Sequence, residues 1–345
     1  MVEQGTHKPL AGGSNPPSAT SPPDPIAQLA AVVARGTDAL QLPSDVPLVL
    51  AVSGGPDSTA LLHGASRLVA DADRSWSLTI AHLDHGLRDG SEADAARVAD
   101  MAAALGLPFR SARADVALLA RGEGRSIEDA GRQARYRFLE EVAAGIGTRA
   151  LIATAHTADD LAETVLLRVV RGSGLRGLRG IPTRRGRVIR PLLRERRADL
   201  RAALDRAEIA YLIDPTNEDP SYAERNRIRG EVMPALERIN PRVVDALLRL
   251  SANATADDDL LDALAAAELA RRRSADGIDW REPPDRAIGR RAMRLAAGEP
   301  APSAERIEAL LDAAEGPRGG LTVELGGGRE ASVRERRIVI SSPRE

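Results

Sequence analysis

A glycine-rich turn between a predicted strand and a predicted helix is the first place where this chain indicates chemistry. The apolar residues 46–52 lead into the turn and Ala60-Leu61-Leu62 follows it. The candidate phosphate-binding positions are Ser53, Gly54, Gly55, Pro56, Asp57, Ser58 and Thr59. Strand, tight turn and helix in this order present backbone N–H groups to a phosphate, and glycine lets the chain approach the anion closely. A Walker A loop is excluded because the turn holds no lysine, and an ordinary Gly-Pro-Asp turn is the alternative.

The second candidate group, His82, His85 and Arg88, comes where the next predicted strand ends. The carboxyl ends of parallel strands share the edge at which open α/β sheets bind ligands. Imidazoles and a guanidinium at that edge can contact the ribose or the phosphates of a nucleotide. A His-Asp pair in a polar turn is the alternative interpretation.

The third group, His156, Asp160 and Glu163, follows a later apolar strand. Asp160 and Glu163 are three residues apart, so they share one face near the start of a helix. Carboxylates there can bind Mg²⁺ on ATP phosphates or the ammonium group of an amino-acid substrate. Acidic residues also favour the helix dipole, but that explains one Asp more readily than a His followed by Asp159, Asp160 and Glu163.

A helix predicted from residue 126 to about 144 carries Glu128, Arg132 and Arg135 on one face, at spacings of four and three. Such a face can contact phosphates. Its residues can equally form solvated ion pairs, which contribute about 0.3–0.5 kcal/mol each. Spacing alone leaves both interpretations open.

Strands and helices alternate around these groups, which predicts an α/β fold with a doubly wound, mostly parallel sheet. The predicted strands cover residues 46–52, 76–83, 107–112 and 150–154, and the predicted helices cover 25–35, 91–105, 126–144, 157–170 and 195–207. Residues 1–25 are rich in Gly, Pro, Ser and Thr and are expected to be disordered. We expect an α/β domain over 26–240. A smaller domain of helices and a β meander is expected over 241–345.

Composition narrows the classes of function. The 345 residues contain no cysteine and carry a net charge of −2. The lack of cysteine excludes disulfides, thiolate metal sites, iron–sulfur clusters and cysteine nucleophiles. No apolar run could cross a bilayer and no secretion signal is evident, so a cytoplasmic protein without membrane association is expected.

Taken together, the segments resemble the tRNA(Ile)-lysidine synthetases, a family of PP-loop ATP pyrophosphatases. The resemblance covers roughly residues 46–241 and rests on segments 53–58, 82–88, 128–136, 156–164, 214–219 and 225–229. The Arg-Asn-x-Ile-Arg pattern at 225–229 separates this family from other PP-loop enzymes. Thr157 and Leu161 depart from it, because family members often carry His and Gln at these positions.

The resemblance implies an adenine nucleotide α-hydrolase-like fold and a two-step reaction. ATP adenylates C2 of the wobble cytidine in the isoleucine tRNA with a CAU anticodon, and pyrophosphate leaves. Free L-lysine then displaces AMP to give lysidine, which changes codon reading from AUG to AUA and charging from Met to Ile. Mg²⁺ is implied as the companion of ATP, and a homodimer is compatible with this interpretation.

The resemblance also assigns roles to the candidate residues. The catalytic candidates are Asp57, His156, Asp160 and Glu163, of which Asp57 and Asp160 are candidate Mg²⁺ ligands. ATP binding falls to residues 53–59 with His82 and His85. The candidates for binding lysine or tRNA are Arg88, Glu128, Arg132, Arg135, Arg171, Arg176, Arg179, Asn217, Arg225, Asn226 and Arg229. Residues 26–240 would form the catalytic domain and residues 241–345 would dock the tRNA.

An arginine-rich connection from Arg168 to Arg197 is where a tRNA backbone would bind. Its glycines predict a loop that orders on RNA, and a solvated basic loop is the alternative. Aromatic residues make up only 2% of the chain, which disfavours stacking on several unpaired bases. Recognition of the anticodon is therefore expected to rest on hydrogen bonds.

Three other functions are compatible with parts of the sequence. A tRNA thiolase typically delivers sulfur through cysteine persulfide or an iron–sulfur cluster, and a glutaminase-coupled synthetase needs a cysteine nucleophile, so the composition disfavours both. The third is an RNA- or nucleotide-binding regulator without catalysis. Asp57, Asp160 and Glu163 argue against it, because a binding protein does not need both sets of carboxylates.

Overall fold

The computed structural model describes residues 24–86, 90–213, 224–316 and 320–341. Residues 1–23 of the tail expected to be disordered lie outside the described residues, as do Arg88 and Asn217. The chain packs as two compact units, Met1–Ala158 with Thr183–Pro215 (unit 1) and Asp159–Pro182 with Thr216–Glu345 (unit 2). These units differ from the two domains predicted over 26–240 and 241–345. The domain boundary near residue 240 stays a prediction.

The described residues form helices and strands in regular alternation over the first half of the chain. The helices are α1 (Pro25–Ala39), α2 (Pro56–Ala70), α3 (Ser91–Ala104), α4 (Val116–Glu123), α5 (Ile127–Ile146), α6 (Ala158–Val170), α7 (Leu175–Leu178), α8 (Arg197–Arg206), α9 (Glu224–Arg227), α10 (Met233–Ile239), α11 (Val243–Arg272), α12 (Arg286–Ala297) and α13 (Ala304–Glu315). A π-helical turn, Ile228–Val232, joins α9 to α10. The strands are β1 (Leu48–Ala51), β2 (Leu78–Asp84), β3 (Phe109–Arg113), β4 (Leu151–Ala153), β5 (Arg184–Arg185), β6 (Val188–Ile189), β7 (Arg273–Ser274), β8 (Gly277–Asp279), β9 (Leu321–Gly326), β10 (Arg329–Arg334) and β11 (Arg337–Ile340).

Unit 1 is built on a six-stranded sheet with the order β3-β2-β1-β4-β6-β5. All its neighbouring strands are parallel except β5, which is antiparallel to β6. Strand β1 lies between β2 and β4, where the strand order reverses. Sheets of this kind bind ligands at that switch point, at the carboxyl ends of the strands. The predicted doubly wound, mostly parallel sheet is confirmed.

Both faces of this sheet are covered because β1 is apolar on both sides. Successive side chains of a strand point to opposite faces. Leu48 and Leu50 pack into a core with side chains of α1, α2, α3 and α8. Val49 packs on the other face with Ile152 of β4 and Leu139 of α5.

The structure adds elements that the sequence interpretation did not contain. Helix α4 was not predicted, although Asp115 caps its first turn by accepting from Leu118 N–H and Gly124 ends it in the left-handed conformation. The arginine-rich connection contains α7 and the paired strands β5 and β6. Helix α3 begins at Ser91, and its cap is Gly90.

Unit 2 contains a five-stranded antiparallel sheet with the order β7-β8-β11-β10-β9. Its last three strands are the predicted β meander. Trp280, Met293, Leu310 and Ile338 are buried in the core between this sheet and helices α12 and α13. Helix α11 has 30 residues, but no helix in the described part of the chain combines the length and apolar character needed to cross a membrane.

Candidate active site

The glycine-rich turn has the geometry predicted from its sequence. Strand β1 ends at Ala51, Gly55 caps α2 in an extended conformation, and Pro56 is the first helical residue. Gly54 has a φ of +85°, a conformation that favours glycine. A Cβ atom at this position would lie 2.4 Å from Cδ1 of Leu212, whose N–H donates to the Gly54 carbonyl at 2.8 Å. The turn is therefore both left-handed and closely packed.

Hydroxyl groups hold the turn in shape. Ser58 Oγ donates to the Gly55 carbonyl at 3.0 Å and accepts from the Ser53 N–H at 3.2 Å. Thr59 Oγ1 donates to the Gly54 carbonyl at 3.2 Å and its side chain is buried. Both hydroxyls thus serve the turn itself, and the groups suited to bind a phosphate are the backbone N–H groups at the start of α2.

Asp57, in the first turn of α2, forms an ion pair with Arg197 at the start of α8. Arg197 Nε donates to Asp57 Oδ2 at 3.0 Å. The sequence interpretation placed Arg197 in the arginine-rich connection and gave Asp57 no partner. The structure therefore adds a residue to the turn. An arginine in the first turn of a helix, where the dipole favours anions, was the available signal.

The two histidines that follow β2 differ in their surroundings. His82 is buried, and its Nδ1 donates to the Val52 carbonyl at 2.8 Å, which joins the end of β2 to the start of the turn. Burial lowers the pKa of His85 to about 4, and the charge of Arg135 adds to this effect. A Cβ atom added to Gly131 of α5 would lie 3.5 Å from His85 Nδ1. His85 is thus a neutral imidazole at pH 7, suited to a hydrogen bond with a nucleoside and not to neutralising a phosphate.

Three guanidinium groups surround Tyr136 of α5. Arg132 and Arg135 lie 5.0 and 5.7 Å from the centre of its ring, and Arg190, which follows β6, donates to its hydroxyl at 3.3 Å. Burial would raise the pKa of Tyr136, but the charges of Arg132, Arg190 and Arg135 outweigh it and hold this pKa below its usual range. Glu128 is exposed in the first turn of the helix. The surroundings of Tyr136 on α5 are therefore strongly cationic. Arg190 contributes to them from outside the helix, which the sequence did not predict.

At the end of β4, His156 Nδ1 lies 3.0 Å from Thr154 Oγ1. The next residue is Thr157, one of the two departures from the family pattern, and it is fully buried. The other departure, Leu161 of α6, is also buried. A Cβ atom added to Gly180 would lie 2.5 Å from Leu161 Cδ1. Packing thus accounts for Leu161.

In unit 2, Asp160 and Glu163 meet the arginines of the Arg-Asn-x-Ile-Arg segment. Arg225 Nε donates to Glu163 Oε2 at 2.8 Å, and its Nη2 donates to Asp160 Oδ1 at 3.1 Å. Arg229 donates to both oxygens of Glu163. The Glu163 side chain is only 2% exposed, and the neighbouring Asn226 is buried. The sequence predicted the shared helix face but not this pairing, because the partners lie more than 60 residues apart.

The arginines expected to contact RNA differ in their partners. Arg179 donates to Asp258, which is fully buried, and pairs with Asp259, both at 2.8 Å. Arg171 pairs with Glu224, whereas Arg176 is exposed on α7. Arg179 thus pairs with α11, and its predicted role in binding lysine or tRNA stays a prediction.

For Mg²⁺, the described residues offer single carboxylates that could act together with the phosphates of ATP. Within the described ranges, no three His, Asp or Glu side chains converge to hold a metal ion. Mg²⁺ in nucleotide sites is commonly bound by one or two carboxylates together with phosphate oxygens. Asp57 fits this role because it lies on the glycine-rich turn, residues 53–59, which we call the phosphate-binding turn after its predicted role. Both carboxylates have arginine partners, but one arginine, Arg197, pairs with Asp57 in the described residues and two, Arg225 and Arg229, pair with Asp160, which therefore fits the role less well.

Comparison with known proteins agrees with this geometry. The family model ATP_bind_3, described as a PP-loop domain, matches residues 29–236. A tRNA(Ile)-lysidine synthase from Salinispora tropica is 45% identical over 244 residues, which are 69% of this chain and 71% of the relative. One from Thermus thermophilus is 44% identical over 230 residues, which are 67% of this chain but 43% of that relative. The chain thus spans less than half of the Thermus protein.

Among solved structures, the U34-tRNA thiolase NcsA from Methanococcus maripaludis, with its [4Fe-4S] cluster, superimposes with a TM-score of 0.55. The match covers 66% of this chain and 79% of the thiolase at 13% identity. At this identity the similarity shows a shared fold alone.

Proposed function

The chain belongs to the tRNA(Ile)-lysidine synthase family of PP-loop ATP-using ligases that act on tRNA, and from this membership we propose the reaction that it performs. It joins free L-lysine to C2 of the wobble cytidine in the isoleucine tRNA with a CAU anticodon. ATP is converted to AMP and pyrophosphate. The product, lysidine, changes codon reading from AUG to AUA and charging from Met to Ile. A cytoplasmic location and a homodimer stay predictions.

The observation that carries this proposal is the phosphate-binding turn with Asp57 in the first turn of α2. In the first step, the C2 carbonyl oxygen of cytidine attacks the α-phosphorus of ATP, and the bond to the bridging oxygen breaks. Negative charge then develops on the departing pyrophosphate. Backbone N–H groups at a helix N-terminus stabilise such charge without reorganising. Mg²⁺ held by Asp57 and the phosphates would add positive charge to the same leaving group.

In the second step, the ε-amine of lysine attacks C2, the C–O bond to AMP breaks, and the nitrogen loses a proton. We assign lysine binding to Asp160 with Arg225 and Arg229. A zwitterionic amino acid carries both signs of charge, and this cluster offers carboxylate and guanidinium groups side by side. The buried Glu163 then holds the two arginines in position.

Binding of the tRNA is assigned to exposed arginines and to residues 241–345. Arg176 is exposed in the arginine-rich connection, and Arg132 is exposed on α5. Phosphate contacts of this kind position an RNA but read no sequence. Discrimination of the anticodon would then rest on hydrogen bonds in a pocket.

The test is incorporation of labelled lysine with ATP and tRNA transcripts. We expect label in a CAU-anticodon isoleucine transcript, one pyrophosphate released per lysine, and none in a matched transcript with uridine at the wobble position. Asp57→Asn should abolish both while leaving the circular dichroism spectrum unchanged. ATP binding without pyrophosphate release would identify a regulator, and release without lysine incorporation would overturn the assigned nucleophile.

Substrate analogues test the lysine site. L-lysine methyl ester keeps both amines but lacks the carboxylate, so its KM should be at least about tenfold higher if Arg225 or Arg229 receives that group. Equal KM values for lysine and its ester would contradict this assignment without affecting the overall reaction.

A further inference from the structure

Arg197 lies on the phosphate-binding turn although it is 140 residues further along the chain than Asp57. The two side chains are 20% and 21% exposed, and 3.0 Å separates Nε from Oδ2. Salt and water screen a pair so shielded much less than they screen exposed charges. Each charge therefore strongly affects the other.

Helix stability does not explain an arginine at this position. Arg197 is the first residue of α8, and Arg196 precedes it as the cap. The N-terminus of a helix carries partial positive charge, so two successive arginines oppose the dipole. The carboxylate of Asp57 is the compensating group that the structure places beside Arg197.

The turn itself contributes no positively charged side chain. Residues 53–59 contain neither lysine nor arginine, and their carboxylate, Asp57, would repel the polyphosphate of ATP wherever Mg²⁺ does not lie between them. A guanidinium paired with that carboxylate removes the repulsion. The hydrogen bond from Nε also favours one orientation of the carboxylate, because it holds Oδ2 at 3.0 Å.

We propose that Arg197 is the positioning residue of the phosphate-binding turn: it orients the Asp57 carboxylate and offsets its charge, so that the polyphosphate of ATP can approach. This role rests on the proposed function. It separates Arg197 from the arginine-rich surface that binds tRNA.

The first test compares Arg197→Gln, Arg197→Lys and the control Arg201→Gln, which alters an exposed arginine one turn further along α8. MgATP affinity is measured by calorimetry, and KM is measured separately for ATP and lysine. Arg197→Gln should weaken MgATP binding and raise the KM for ATP by at least about tenfold, since removing one partner of a shielded charge pair is costly. Arg197→Lys should recover part of this loss because it keeps the charge. Arg201→Gln, the KM for lysine and the tRNA affinity should stay within about twofold of wild type.

The second test asks whether Arg197 acts through Asp57. In an Asp57→Asn background, Arg197→Gln should change MgATP affinity by less than about twofold, because the charge that it offsets is gone. The proposal would be overturned if Arg197→Gln lowered MgATP affinity by the same factor in the Asp57→Asn background as in the wild-type background. So would a loss of tRNA affinity with unchanged MgATP affinity.

The two proposals can fail separately. Calorimetry with MgATP needs neither lysine nor tRNA, so a wild-type protein that incorporates no lysine would refute the proposed function and leave this test intact. If thermal unfolding shows that Arg197→Gln does not fold, Arg197→Lys carries the same coupling measurement. An Arg197→Lys variant with wild-type MgATP affinity would show that charge alone suffices and would overturn the orienting role.

Discussion

The guanidinium of Arg229 contacts both carboxylate oxygens of Glu163, with Nε 2.7 Å from Oε1 and Nη2 2.9 Å from Oε2. Arg225 donates to the same carboxylate from a second direction. Two parallel N–H···O bonds fix both position and orientation, which a lysine cannot reproduce. Glu163 therefore acts as the anchor for both arginines.

Glu163→Gln should destabilise unit 2, because the amide keeps the shape of the side chain but leaves Asp160 as the remaining described carboxylate partner of both arginines. Allowing for the partial exposure of the arginines, we expect a loss of about 2–4 kcal/mol in the free energy of unfolding. Urea denaturation measures it. Glu141→Gln, at an exposed position on α5, is the control and should stay within about 0.5 kcal/mol of wild type. Equal stabilities of the two variants would contradict the anchoring role.

Arg176 and Arg179 lie three residues apart and should respond to substitution in opposite ways. Arg179→Gln leaves the buried Asp258 with Arg291 as its remaining described ion-pair partner, so it should lower stability while the salt dependence of tRNA binding stays unchanged. Arg176→Gln should leave stability unchanged and reduce the log–log salt slope by about 0.7–0.9 if it contacts one phosphate. Filter binding over a range of salt concentrations and urea denaturation give both readouts. A reduced salt slope for Arg179→Gln would show that Arg179 contacts the RNA after all.

His85 should not titrate near neutral pH. Its pKa is lowered from 6.5 to about 4, mainly by burial. Between these values the unfolded chain binds the proton and the folded protein does not. The neutral His85 imidazole therefore contributes fully to the free energy of unfolding above pH 6.5. This contribution is lost as pH falls towards 4, by up to about 3 kcal/mol. NMR of histidine-labelled protein measures the midpoint, with His85→Asn assigning the signal. A midpoint near 6.5 would disprove the burial of this imidazole.

Gly54 and Gly106 both adopt positive φ, yet their substitution by alanine should differ. Gly106 has open space at the Cβ position, so Gly106→Ala should cost only the left-handed strain, about 1–2 kcal/mol. Gly54→Ala must also displace Leu212 and should weaken MgATP binding at least about tenfold, because the turn would move. Thermal unfolding and calorimetry separate the two effects. Comparable MgATP affinities in both variants would show that the turn tolerates the displacement.

Local patterns in the sequence were sufficient for the sheet and the turn. Strand β1 could be predicted because its residues are apolar on both faces, and the turn because its glycines and Asp57 follow directly. Helix α4 was missed since it has only eight residues, although Asp115 and Gly124 mark its two ends.

The ion pairs could not be predicted in the same way. Asp57 meets Arg197, and Glu163 meets Arg229, only after strands and helices distant in sequence have packed. A count of arginines likewise cannot distinguish Arg179, which faces a buried carboxylate, from the exposed Arg176. Tertiary packing decides these roles.

The pairing of Arg179 with Asp258 has a consequence for synthesis of the chain on the ribosome. Asp258 follows Arg179 by 79 residues, so at translation rates of ~5–20 residues per second it is added roughly 4–16 s later. Until then, Arg179 lacks the carboxylate that pairs with its guanidinium and the Ser251 hydroxyl that donates to its carbonyl, both of which α11 supplies. In the nascent chain, the segment that contains Arg179 therefore cannot complete its contacts until α11 has been synthesised. During this interval α7 lacks the helix against which it packs, so this part of unit 2 reaches its folded arrangement only after α11 has been made.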